Sequence, residues 1–250
     1  MDHIPTSQNA RLPYLDDFLL FLKTQNYSEE TIESYQRDLR QLENFLVSEN
    51  ADFKGLSKQM VNQYKAYLVS RERKQPFTGL TAPRKLEARS LNRNLSALRS
   101  YLRYLIDMDR EVPVAPDVIK MVKTDKKHPQ VAELTELIKL IESPEKFEKE
   151  ELVGLRNRAM LEVLLATGMR ISELVSLNKS QLDGTGRLFI RGKGKKERFA
   201  YLTGRATRQL ELYLGKRKDV APAMFVPRRG RNAGKSDRRI STNYLHGKIK

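Results

Sequence analysis

Between residues 90 and 108 the chain places Leu91, Leu95, Leu98, Leu102 and Leu105 at steps of three and four. At ~100° per residue these five fall within about 80° of one another, and Arg89, Arg93, Arg99 and Arg103 lie on the opposing side. A strand would scatter the leucines over two faces, whereas a helix collects them, so a helix is expected from about Ser90 to Met108. One side packs and the other is cationic. A helix with so wide an apolar stripe needs partners, and the preceding sequence supplies them. Leu15, Phe18, Leu19 and Leu22 recur at helical spacing. After Ser28, a good N-cap with Glu29 and Glu30 at the positive end of the dipole, Ile32, Tyr35, Leu39, Leu42, Phe45 and Leu46 do the same. A further helix is expected over 57–71, before the breakers Pro76, Gly79 and Pro83. Residues 1–112 thus read as a four-helix domain.

Residues 113–131, PVAPDVIKMVKTDKKHPQV, combine three prolines and four lysines with little periodicity, which is linker composition. The second domain, 132–250, opens with a short helix near 132–142 carrying Leu134, Leu137, Ile138 and Ile141. A longer one follows from Leu155 to Thr167, with Met160, Leu161, Leu164 and Leu165 expected inside. Gly168 is placed to end that helix in the left-handed conformation. Arg170 follows at the corner, and ISELVSL starts the next helical turn, so the guanidinium is held by a rigid element. Arg187 to Ile190 and Arg198 to Leu202 alternate like two strands joined by a lysine-rich turn with glycines at 192 and 194. The turn is not a nucleotide-binding phosphate loop: GxxxxGK[ST] is absent, and the flanking element is a strand.

The charge is unevenly spread. Against a total of +16, residues 187–250 hold nineteen Lys and Arg and four acids (Glu197, Glu211, Asp219 and Asp237), so the first 186 residues are close to neutral. Within that neutral part, 71–110 form a second basic region with ten cations and four acids. Two separated basic regions suit a polyanion gripped from two sides. The chain has no cysteine, which excludes a disulfide framework, cysteine-based zinc sites and a thiol nucleophile. His3, His128 and His246 have no ligand spacing, no carboxylate cluster stands in the sequence, and neither metal nor cofactor is expected. No leader-like apolar segment or run of ~20 apolar residues is present, so a soluble, cytoplasmic protein is expected.

The combination of RSLNRNLSALRSYLRYL in the helical half, RNRAMLEVLL at 156–165, ATGMRISELVSL at 166–177 and GKGKKERFAYL at 192–202 resembles the tyrosine recombinase, or phage integrase, superfamily. Among its branches the bacterial Xer recombinases are most similar. The resemblance implies a mainly α fold with a small antiparallel sheet: an N-terminal SAM-like core-binding domain and an incomplete α+β catalytic domain. It also implies double-stranded DNA as partner, tetramers on paired sites with itself or a homologue, and strand exchange through a 3′-phosphotyrosine. In that family the arginine of ATGxRxSEL, here Arg170, contacts the scissile phosphate. The first lysine of the hairpin, here Lys193, protonates the leaving 5′-hydroxyl. Glu173 matches the glutamate of SEL, where a supporting contact is expected, and Lys195, Lys196 and Arg198 are expected to add to DNA binding with Arg89, Arg93, Arg99 and Arg103.

These residue types suit the reaction on their own account. Attack on a phosphodiester builds negative charge on the non-bridging oxygens, to which a planar guanidinium can donate twice. A lysine gives up its proton more readily when neighbouring cations disfavour its charge. Two plainer readings stand beside these: Arg170 as a structural ion pair with Glu173 or Glu162, and the arginines of the fourth helix as a solvated face. The family completes its site with HxxR and a tyrosine nucleophile. Here His246 is followed at +3 by Ile249, and Tyr244 has the setting of a packing residue. The sequence therefore reads as a recombinase fragment lacking its nucleophile, inactive for strand cleavage by itself. The alternatives are a non-catalytic, sequence-specific DNA-binding module and an RNA-binding basic protein. The last explains the charge but not the near-neutral helical half.

Overall fold

The computed structural model describes residues 11–70, 73–74, 81–82, 86–125, 131–192, 197–230, 233, 235 and 237–249. The chain divides into two compact units, Met1–His128 and Pro129–Lys250.

The first unit is built on α1 (Leu15–Thr24), α2 (Glu29–Ser48), α3 (Lys58–Ser70) and α4 (Ala88–Asp107). Ser28 caps α2, its side chain accepting from the Thr31 N–H, which satisfies one of the free donors at the helix start. All five leucines of the α4 stripe are buried, together with Phe18, Leu22, Leu39, Leu42, Phe45 and Leu46 from α1 and α2. Phe18 is the hub of an aromatic cluster, with Tyr35 and Tyr101 edge-on at 5.7 and 5.6 Å and Tyr104 tilted at 5.3 Å. Such edge-to-face pairs add to the burial of each ring. Between α3 and α4 lies a ribbon the sequence did not suggest, β1 (Arg73–Lys74) antiparallel to β2 (Thr81–Ala82).

Much of the stretch expected as a linker belongs to this unit. Val114 and Ile119 are buried in its core, and Val118 and Val122 pack against it. Asn92 on α4 fixes the path: its amide nitrogen donates to the Val122 carbonyl (2.8 Å), and its amide oxygen accepts from the Val122 N–H (2.7 Å). A side chain that offers donor and acceptor together can replace a strand neighbour, and here it pins an otherwise unpaired backbone.

In the second unit, α5 (Leu134–Phe147) and α6 (Glu151–Thr167) precede the short α7 (Ile171–Ser176). The hairpin β3 (Arg187–Arg191) and β4 (Glu197–Tyr201), then α8 (Gly204–Lys216) and α9 (Thr242–Ile249), follow. Strand register runs from Arg187 opposite Tyr201 to Arg191 opposite Glu197. Leu188, Ile190 and Ala200 face the core, and Phe189 and Phe199 pair across the other face at 5.6 Å. The alternation seen in the sequence is therefore the inside–outside pattern of this sheet.

One expectation about α6 fails. Met160 is buried, but Leu161 and Leu164 are half-buried and Leu165 is exposed. The inward face carries Arg156, Asn157, Ala159, Val163 and Glu162 instead. Three polar residues break the apolar stripe because each finds a partner inside. Arg156 donates to the Val226 carbonyl (3.0 Å) and to Asn157, and Glu162 accepts from Arg205 of α8 (2.6 Å). Gly168 ends α6 as expected, at φ +59°, with its N–H on the Leu164 carbonyl.

Candidate functional site

The site starts from that glycine. Its left-handed turn stops α6, Met169 drops into the core, and Arg170 becomes the N-cap residue of α7 with extended backbone angles. Three residues on, Glu173 turns back, and its Oε2 accepts the Arg170 N–H at 2.9 Å. This local loop closure is the carboxylate half of a capping box. The Glu173 side chain is 4% exposed and is met by two guanidinium groups. Arg170 Nη1 donates to Oε1 at 3.0 Å. Arg198, reaching across from β4, donates through Nη1 to Oε1 at 3.1 Å and through Nη2 to Oε2 at 2.8 Å. The latter is a fork-to-fork ion pair, the strongest geometry available to these two side chains.

These contacts decide the charge of the site. The two Arg198 hydrogen bonds, acting against the burial of the group and helped by the backbone and side chain of Arg170, hold the Glu173 carboxyl at about 2. Two guanidinium groups on one carboxylate leave a net charge of +1. The side chain of Arg170 is 67% exposed and commits one nitrogen to Glu173, so its remaining donors are available to an anion.

Arg170 and Glu173 are thus brought together as the sequence suggested, and Glu173 is the partner of Arg170. Glu162, the other candidate, pairs with Arg205 and Arg158 instead. Arg198, expected to add to DNA binding, commits two of its five donors to Glu173 and remains 42% exposed. Lys193, Lys195 and Lys196 lie outside the described residues.

A residue missed in the sequence closes the other end of α7. Arg239 donates through Nη1 to the carbonyls of Val175, Ser176 and Leu177 and through Nη2 to Asn178 Oδ1 (2.6 Å). A cation there satisfies carbonyls that a helix end leaves free and opposes its dipole. No local signal could have found it, because it stands more than sixty residues downstream.

The arginine face of α4 is less free than its sequence suggests. Arg93 donates to Asp38 of α2 at 2.8 Å, and burial raises the Asp38 carboxyl despite that partner. Arg99 and Arg103 share Asp117, from the turn Pro116–Val118, at 3.2 and 3.6 Å. Arg89 is exposed. The four arginines have no acid among them in sequence, yet three are answered by acids from other segments. Tyr244 packs as expected: its hydroxyl takes hydrogen bonds from Arg156 and Asn157, and the Arg156 guanidinium lies 4.9 Å from its ring centre. Among the described residues no group of three or more His, Asp or Glu side chains is arranged to hold a metal, and no helix is long and apolar enough to cross a membrane.

An α-helical unit followed by a unit with an arginine-bearing corner and a basic hairpin defines a class. Residues 15–108 match the phage integrase N-terminal SAM-like domain, and residues 130–250 match the phage integrase family. The chain belongs to this family, that of the tyrosine recombinases. Among individual proteins it is similar to tyrosine recombinase XerC of Pelobacter propionicus, 31% identical over 92% of this chain and 73% of the relative. Tyrosine recombinase XerC of Xanthomonas axonopodis is 34% identical over 74% of this chain and 59% of the relative, so the chain spans less than two thirds of that protein. Two solved structures share the fold. XerH recombinase bound to a difH substrate has a TM-score of 0.63 at 19% identity, covering 92% of this chain and 63% of that one. A lambda integrase tetramer bound to a Holliday junction has a TM-score of 0.66 at 13% identity, covering 94% and 60%.

Proposed function

We propose that the chain is the DNA-gripping and phosphate-binding portion of a site-specific tyrosine recombinase. In this reading Arg170 donates to two non-bridging oxygens of the scissile phosphate as charge builds there, and Lys193 delivers a proton to the departing 5′-oxygen. Glu173 caps the helix start at which Arg170 stands. The partner is double-stranded DNA, contacted by the arginine face of α4 and, separately, by basic residues of the second unit. Assembly is as tetramers on paired sites with itself or a homologue, a reading supported by the lambda integrase tetramer on a Holliday junction, and the work is done in the cytoplasm. The observation that carries the reading is the net positive cluster of Arg170, Glu173 and Arg198, with an exposed guanidinium fixed at a helix start.

The test is affinity for a duplex as salt rises. If ~6 or more phosphates are neutralised, binding falls by about a thousandfold or more between 50 and 200 mM salt. Near-constant affinity over that range overturns the grip. A second reading, a DNA-binding module that does no chemistry itself, is favoured by the engagement of the Tyr244 hydroxyl by Arg156 and Asn157. Incubation with a nicked suicide substrate separates the two for this polypeptide: the second reading expects no covalent adduct, and one mapped to a tyrosine of these 250 residues removes it.

A further inference from the structure

Glu173 has more cation than it needs. Its carboxylate is almost wholly buried, and a lone buried carboxylate would hold any single arginine within reach very firmly, because separating such a pair leaves an uncompensated charge. With Arg170 as the only partner the pair would be neutral, and the carboxylate would draw further Arg170 donors away from an incoming phosphate. Arg198 changes that balance. It covers both carboxylate oxygens in a fork at 2.8 and 3.1 Å, while Arg170 keeps one contact at 3.0 Å and remains two-thirds exposed. The Arg170 N–H independently holds Oε2, so the carboxylate stays in place whatever the Arg170 side chain does.

We propose that Arg198 is a positioning residue that acts through Glu173: it supplies the counter-charge that leaves the Arg170 guanidinium available to a DNA phosphate. Arg198 is 42% exposed and sits in a hairpin whose basic composition invites a direct DNA role, so the two roles need separating. They differ in one consequence. If Arg198 works by satisfying Glu173, removing both charges together restores what removing Arg198 alone destroys. If it touches DNA, it does not. The inference rests on the reading of Arg170 as a phosphate ligand, and the low pKa of Glu173 agrees with a carboxylate that is ionised throughout the working pH range.

The experiment measures affinity for a fluorescein-labelled DNA duplex at low salt by anisotropy, with far-UV melting to check each fold. Arg170→Ala is expected to bind about tenfold more weakly, the order of one charge-assisted hydrogen-bonded contact. Arg198→Gln is expected to lose a similar factor, because Glu173 then captures Arg170. The double variant Arg198→Gln/Glu173→Gln is expected back within about threefold of the parent. Glu197 is next to Arg198 and half-exposed, so Arg198→Gln/Glu197→Gln has the same net charge as that double variant and controls for long-range electrostatics. It is expected to stay weak. Full affinity in Arg198→Gln, no recovery in the Glu173 double variant, or equal recovery in the Glu197 one overturns the inference. Should Arg198→Gln not fold, Arg198→Lys carries the test: it keeps the counter-charge and is expected within about threefold of the parent, and a tenfold loss overturns the inference. Unchanged affinity in Arg170→Ala instead overturns the phosphate reading of the site itself.

Discussion

Replacing Arg239 by alanine withdraws a guanidinium from the C-terminus of the helix that begins at Arg170. The losses can be read from the geometry: hydrogen bonds to the carbonyls of Ser176 (2.8 Å) and Leu177 (3.3 Å), a longer one to Val175 (3.5 Å), and one to Asn178 Oδ1 (2.6 Å). The side chain is 28% exposed, so these bonds are only partly screened. Its ion pair with the exposed Asp237 contributes little. A hydrogen bond from a charged donor contributes about 1.5–3 kcal/mol, and a cation at a partly buried helix C-terminus up to ~2 kcal/mol. These contributions overlap, because the same four contacts produce both, and the expected cost is about 2–3 kcal/mol for local opening of α7. Hydrogen exchange read on a peptide covering residues 171–178 converts this into protection: exchange about 30- to 150-fold faster. Peptides from α4, in the other unit, should not change. Arg239→Lys is expected to recover part of the protection, since an ammonium replaces the charge but not the fork. Unaltered exchange in α7, or a uniform increase across the whole second unit, would refute the claim that Arg239 fixes this helix.

Acid should act on the same helix from its other end. Glu173 is held at about 2, against an ordinary value of 4.5, by Arg198 first and then by Arg170. A depressed carboxyl stabilises fully above its unfolded value and loses that contribution as pH falls through its folded one. The difference in urea stability between the parent and Glu173→Gln is therefore expected to shrink by about 2–3 kcal/mol between pH 5 and pH 2. A constant difference would contradict the triad. On α4 the informative pair is Arg89 and Arg103, since Arg93 anchors a buried aspartate and Arg99 is half-buried. Reversing both to glutamate is expected to weaken duplex binding at least ~tenfold and to lower the salt slope by about two. Unchanged slope would remove α4 from the interface.

What the sequence disclosed was governed by distance along the chain. The α4 stripe and the Ser28 cap are local regularities, and the Gly168 corner and the Arg170–Glu173 contact lie within one helical turn. Each could be read because its partners are near neighbours in sequence. The Arg198 fork spans twenty-five residues and the Arg93–Asp38 pair fifty-five, and nothing in the local pattern of either partner announces the other. The inward face of α6 was misread for a related reason. Arg156 and Glu162 look solvent-seeking until Val226 and Arg205 are brought to them by the fold. Residues 113–122 have the proline and lysine content of a tether, and partners outside that stretch, the Asn92 amide and the Arg99 and Arg103 guanidinium groups, hold them on α4. The helix α8 carries a local signal that the sequence reading passes over: Leu210, Tyr213 and Leu214 stand at helical spacing, and the first two are buried.

The central claim, that the exposed guanidinium at the start of α7 grasps a backbone phosphate, is tested most directly by neutralising phosphates one at a time. A duplex selected by the protein from a random pool would be resynthesised with a single methylphosphonate at each position in turn. The account predicts one position at which the parent loses about tenfold in affinity and Arg170→Ala, already weakened, loses nothing more. Equal sensitivity of parent and variant at every position would contradict it.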